Sequence, residues 1–80
     1  MRDKIDILDN EIQRLLCERF QLVKKIGDEK KRLGITVQDG KREGEILEKI
    51  QLLPYEEEVK SAVFNLYEEM FVFSKEIQNP

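Results

Sequence analysis

These 80 residues contain no histidine, one cysteine, two prolines and four glycines. Without histidine the usual mixed His/Cys zinc sets cannot be assembled, and the lone Cys17 cannot close an internal disulfide. No apolar run is long enough to span a bilayer, and the opening "MRDKIDILDN" has no apolar signal region. A basic excess is also missing. Seventeen acidic against fourteen basic residues leave a net charge of -3, which argues against general nucleic-acid binding while leaving room for a local basic pocket. An unpaired cysteine suits a reducing compartment. The expectation is a cytoplasmic protein with no metal, no nucleic-acid partner and no membrane partner.

What is present is charge and helical periodicity. Charged residues make up 39% of the chain, and with so little Gly and Pro this is the composition of long helices. A chain of this length buries only about 60–65% of its unfolded surface and is marginal alone. With disulfide and metal unavailable, a partner chain is the remaining source of stability.

The spacing predicts three helices. From Arg2 to Leu33 there is no Pro and one Gly, and Ile5, Leu8, Ile12, Leu15, Arg19, Leu22 and Ile26 alternate steps of three and four. A helix over 2–33 would be about 48 Å long, longer than a compact monomer of this size, so it must protrude or pair with another chain. A second stripe, Arg2, Asp9, Leu16, Val23 and Lys30, runs beside the first and widens the apolar face beyond a two-stranded seam. "GITVQDG" then interrupts: Gly34 suits a left-handed helix end and Asp39 suits the cap of the next helix. The second helix is expected over about 40–53, with Ile46, Leu47, Ile50 and Leu53 on its apolar face and Pro54 ending it. The third is expected over about 55–78, opening on acidic residues that suit the positive end of the helix dipole. One long, one short and one medium helix make an all-α fold, read as a single domain over residues 1–80.

Polar residues interrupt these faces. Arg19 replaces an apolar residue in the seam of the first helix; Lys30, Glu43, Ser74 and Gln78 lie on or beside faces expected to be buried, with Arg2 and Arg42 near helix beginnings. Each has an ordinary explanation taken alone. An Arg at a core position can pair with a carboxylate or set oligomer register, and a Lys near a helix C-terminus favours the dipole and can reach out to water. Together they are harder to account for. Burying an unpaired charge costs several kcal/mol, and one Glu cannot satisfy several cations. An external polyanion is the natural partner, and the planar fork of arginine suits carboxylate or phosphate. Arg19 and Lys30 stand about 16 Å apart along one helix, close enough for two long side chains to hold one small molecule, whereas Arg2 is about 25 Å from Arg19 and can join only from another chain. An intertwined homodimer with shared sites meets both demands. No phosphate-binding Gly-rich loop, metal-ligand cluster or Cys-His pair is present, so the chemistry that fits is driven by geometry and electrostatics.

In this arrangement the chain resembles the all-helical AroQ class of chorismate mutases over nearly its whole length. "RDKIDILDNEIQRLLCERFQLVKKIGDEK" resembles the opening helix of that family, with its Arg, I-D-x-[IL]-D, L-L-x-E-R and I-x-x-x-K in order. "VQDGKREGEIL" resembles its second motif, and "SKEIQ" its closing Ser-x-x-x-Gln. The resemblance implies conversion of chorismate to prephenate by an intramolecular Claisen rearrangement, with no cofactor. It implies that Arg19, Arg42 and Ser74 recognise substrate carboxylates, with Arg2 contributed by the other subunit of a homodimer. Lys30 would contact a carboxylate and the breaking ether oxygen, Gln78 would donate to the same oxygen, and Glu43 would receive the ring hydroxyl, helped by backbone at Asp39. Arg19, Lys30 and Gln78 are thus the expected catalytic residues. Nothing resembles an appended dehydrogenase, dehydratase or regulatory domain, so the expectation is a monofunctional enzyme or an isolated domain. Two alternatives stay open: an isochorismate pyruvate lyase of the same fold, against which Glu43 argues, and a non-catalytic helical module for dimerisation or docking.

Overall fold

A computed structural model describes residues 1–34 and 40–78. They form three α-helices and no strand: α1 (Arg2–Leu33), α2 (Gly40–Gln51) and α3 (Glu57–Gln78). The all-helical class expected from the spacing is the one observed. The expected capping role of Asp39 lies outside the described residues.

Each boundary has a local cause. Gly34 ends α1 with φ 71°, and its backbone N–H donates to the carbonyls of Lys30 and Lys31. Only glycine reaches that left-handed conformation without a steric penalty. Both α2 and α3 are two residues shorter at their junction than the sequence suggests. α2 ends at Gln51 instead of near residue 53 because the chain tightens there: the N–H groups of Leu52 and Leu53 donate three residues back, to Lys49 and Ile50, at 3.2 Å. Pro54 lacks an N–H and disfavours helical backbone at the residue before it. α3 starts at Glu57 instead of near residue 55 because Tyr55 donates to the Leu53 carbonyl at 2.9 Å and is held in a turn. The first helical bond of α3 runs from Lys60 N–H to the Glu56 carbonyl.

Lys60 also ties this junction together. Its ammonium donates at 2.8 Å to the Gln51 carbonyl, one of the terminal carbonyls of α2 that has no partner within its own helix. Its second partner, Glu57 at 2.8 Å, is 90% exposed and adds little.

Among the described residues α3 packs against both α1 and α2, and α1 and α2 do not pack against each other. α1 accounts for the elongated shape, 48 × 25 × 16 Å, and for a radius of gyration of 14.8 Å. A compact chain of this length has about 12 Å. The core is correspondingly small. Among the described residues the buried apolar side chains are Val23, Ile50 and Phe71. Among the described residues the apolar seam of α1 is only partly covered: Ile5, Leu8, Ile12, Leu15, Leu22 and Ile26 remain between 46% and 60% exposed.

Replacing Lys60 by Met keeps the aliphatic stem and removes the donor to Gln51. The expected cost is about 1 kcal/mol, a fall of about 5 °C in melting temperature, measured by circular dichroism at fixed protein concentration. An unchanged melting temperature would show that the α2 terminus is satisfied by water equally well.

Candidate active site

Because α1 and α2 each rest on α3 without meeting, a cleft opens between them. It has a volume of about 410 Å³ and takes side chains from all three helices. α1 contributes Arg19, Leu22, Val23, Ile26 and Lys30, α2 contributes Arg42, Glu43 and Ile46, and α3 contributes Phe71, Ser74, Lys75 and Gln78. The volume lies within the range of small-molecule sites.

The α3 residues stand at positions i, i+3, i+4 and i+7, one face of a helix. Ser74 and Phe71 are buried, and the Ser74 hydroxyl accepts a 3.1 Å hydrogen bond from Arg19 Nη1. The Arg19 guanidinium lies 5.9 Å from the Phe71 ring centre and 6.0 Å from that of Tyr67, within cation–π range. The two rings meet edge to face at 5.9 Å. Arg19 is thus fixed by a neutral hydroxyl and two aromatic faces. Among the described residues it pairs with no carboxylate, and neither does Lys30. Arg14, five residues earlier on the outer face of α1, is the contrast. Hydrogen bonds to Glu11 at 2.9 Å and Glu18 at 3.1 Å compensate its charge and hold its guanidinium pKa above the ordinary value, Glu11 contributing most.

Lys75 is the cleft residue that the sequence reading passed over. Its ammonium lies 3.3 Å from a Glu43 carboxylate oxygen, linking α3 to the first turn of α2. The signal was available, since Lys75 lies between Ser74 and Gln78 on the same face. A half-exposed lysine on a helix is too common to stand out by composition.

Of the residues singled out from the sequence, the cleft brings together Arg19, Lys30, Arg42, Glu43, Ser74 and Gln78. It does not include Arg2, which is exposed in the first turn of α1, about 25 Å along the helix from Arg19. Asp39 lies outside the described residues. Among the described residues no group of three or more His, Cys, Asp or Glu side chains is arranged to hold a metal ion, and no helix is long and apolar enough to cross a membrane.

Residues 1–79 match the family model described as chorismate mutase type II. The chain belongs to the chorismate mutase type II family. Among its relatives, a bifunctional chorismate mutase/prephenate dehydratase of Aquifex aeolicus is 44% identical over 64 residues, covering 80% of this chain and 17% of that protein. A chorismate mutase of Methanocaldococcus jannaschii is 41% identical over 59 residues, 74% of this chain and 60% of that one. The matched stretch is therefore about a sixth of the first relative's length and three fifths of the second's.

The lining of the cleft is cationic, with Arg19, Lys30, Arg42 and Lys75 against Glu43. A small dianion should bind, and Glu43→Gln should tighten that binding by removing the opposing charge. The expected gain for succinate, followed by NMR titration, is roughly threefold to tenfold at low ionic strength. It should vanish near 1 M salt, where the screening length is about 3 Å. Weaker succinate binding by the variant would contradict this electrostatic description.

Proposed function

We propose that this chain is a chorismate mutase, isomerising chorismate to prephenate in the cytoplasm on the route to phenylalanine and tyrosine. The observation that carries the reading is the cleft itself. In a member of the chorismate mutase type II family, two cations with no carboxylate partner among the described residues, a buried hydroxyl, a carboxylate and a side-chain amide converge on one small-molecule-sized space.

The physics of the rearrangement suits these groups. Chorismate is a dianion, and its reactive conformer must fold the enolpyruvyl arm over the ring. Arg19, Arg42 and Ser74 holding the carboxylates would keep it folded and remove most of the orientational entropy from the barrier. The ether bond breaks ahead of carbon–carbon bond formation, so negative charge grows on the ether oxygen. Lys30 and Gln78 would donate to that oxygen and stabilise the transition state more than the ground state. Glu43, steered by Lys75, would receive the ring hydroxyl, with backbone at Asp39 assisting. No covalent intermediate, protein base or cofactor is required. Arg19→Ala or Lys30→Ala should nearly abolish turnover with the helical circular dichroism spectrum intact, and Gln78→Ala should lower kcat by roughly 10²–10³-fold. Because Gln78 donates as a neutral amide, kcat/KM should stay level from pH 5 to 8. Pyruvate release from isochorismate without any prephenate from chorismate would replace this reading by the lyase.

The working unit in this proposal is a homodimer with shared sites. The exposed α1 seam supports it, as does an apolar groove of about 510 Å³ between α1 and α3. Its lining is mainly apolar, including Ile12, Leu15, Phe20, Leu66 and Phe73, with Glu69 at its side, and it runs on from Arg19 and Tyr67. A partner's α1 laid there would cover the seam and bring its Arg2 to this chain's cleft. Mixing inactive Arg2→Ala and Arg19→Ala proteins, unfolding and refolding them together, should then restore about a quarter of native activity, since half the dimers are hybrid and each hybrid has one intact site. No recovery would show that Arg2 serves no site across the interface.

A further inference from the structure

Gly27 is buried inside α1, where glycine is among the least favourable residues for a helix. Its backbone does not demand glycine, since the positive-φ glycine among the described residues is Gly34. Space does. A Cβ on Gly27 would lie 2.9 Å from the Gln78 Cα, 3.0 Å from its Cγ and 3.1 Å from its Cβ. The first of these is a backbone atom, so a larger residue would displace the end of α3 and could not be accommodated by a side-chain rotation. Gly40 and Gly44 are different, because a Cβ there meets nothing within 4 Å. Gly27 also lies three residues before Lys30, less than one turn, about 4.5 Å along the axis. The stretch of α1 that carries Lys30 is therefore pressed directly against the residue that carries the Gln78 amide.

We propose that Gly27 is a positioning residue for the reaction: its missing side chain sets the separation between the Lys30 ammonium and the Gln78 amide. This rests on the mutase reading, in which both groups donate to the ether oxygen. Gly27 itself touches no substrate. It fixes a distance between two helices, and a displacement of even an ångström in a catalytic donor is costly in rate.

The test is a double-mutant cycle on kcat and KM for chorismate, with Gly44→Ala as the control for helix propensity. Gly27→Ala should lower kcat by about tenfold or more while changing KM less, because the contact to the ether oxygen strengthens only in the transition state. In a Gln78→Ala background the same substitution should cost under about twofold, since the group it displaces is already gone. Additive losses would overturn the proposal and make Gly27 a general packing residue, as would unchanged kcat or a Gly27→Ala chain that fails to fold. The unsubstituted protein gives an independent check: Gly27 and Gln78 Hα protons should show a nuclear Overhauser effect, and its absence would overturn the proposal whatever the variants do. If native protein shows no chorismate turnover, or Gln78→Ala costs nothing, the mutase reading fails instead. The geometric half is then decided by the Overhauser effect and by whether Gly27→Ala shifts the Gln78 side-chain amide resonances.

Discussion

The cleft exists because α3 is a shared wall. α1 and α2 both pack on it and not on each other, so the space between them stays open and is floored by one face of α3. That face carries Phe71, Ser74, Lys75 and Gln78, and each does something different. Phe71 fills the small core and faces the Arg19 guanidinium, Ser74 accepts its hydrogen bond, Lys75 engages Glu43 on α2, and Gln78 abuts Gly27 on α1. The contacts that hold the helices together are thus largely the contacts that shape the site. A substitution on this face changes packing and pocket at once.

Two of the arginines of α1, Arg14 and Arg19, show how one helix carries charge for two purposes. Arg14 is compensated by carboxylates one turn to either side, an exposed arrangement that contributes little to stability and leaves no charge to offer a ligand. Arg19 is held by groups that do not neutralise it. Aromatic faces and a hydroxyl restrict its rotamers at modest energetic cost and leave its charge available. Pre-ordering a cation in this way removes part of the entropy that binding a dianion would otherwise have to overcome.

Scarcity of core shapes the rest. With three buried apolar side chains among the described residues and an apolar seam half exposed along α1, the single chain falls short of the burial that usually stabilises a domain. The elongated form is the geometric side of the same fact: a 32-residue helix cannot be wrapped by the two shorter helices available. An enzyme built from two such chains would gain its core and complete its sites in one event, so that folding, association and activity would depend on protein concentration together.

Much of this was readable in the amino-acid sequence because helices are periodic. Steps of three and four placed α1, put Arg19 and Lys30 on one face, and grouped Ser74 with Gln78, without any tertiary information. The junction at Pro54 was harder. Proline marks a break, but the turn bonds of Leu52, Leu53 and Tyr55 decide how many residues each neighbouring helix gives up. Lys75 shares a helix face with Ser74 and Gln78, but neither its role nor that of Gly27 follows from position along one helix. A lysine on a half-exposed helix face and a glycine in a helix carry no periodic signature, and each becomes meaningful only against its neighbour from another helix. Sequence periodicity therefore determined the three helices and the line of unusual polar residues along them. The tertiary structure alone decided which of those residues share a cleft, because separations between helices depend on side-chain volumes at the crossing points, such as the missing one at Gly27.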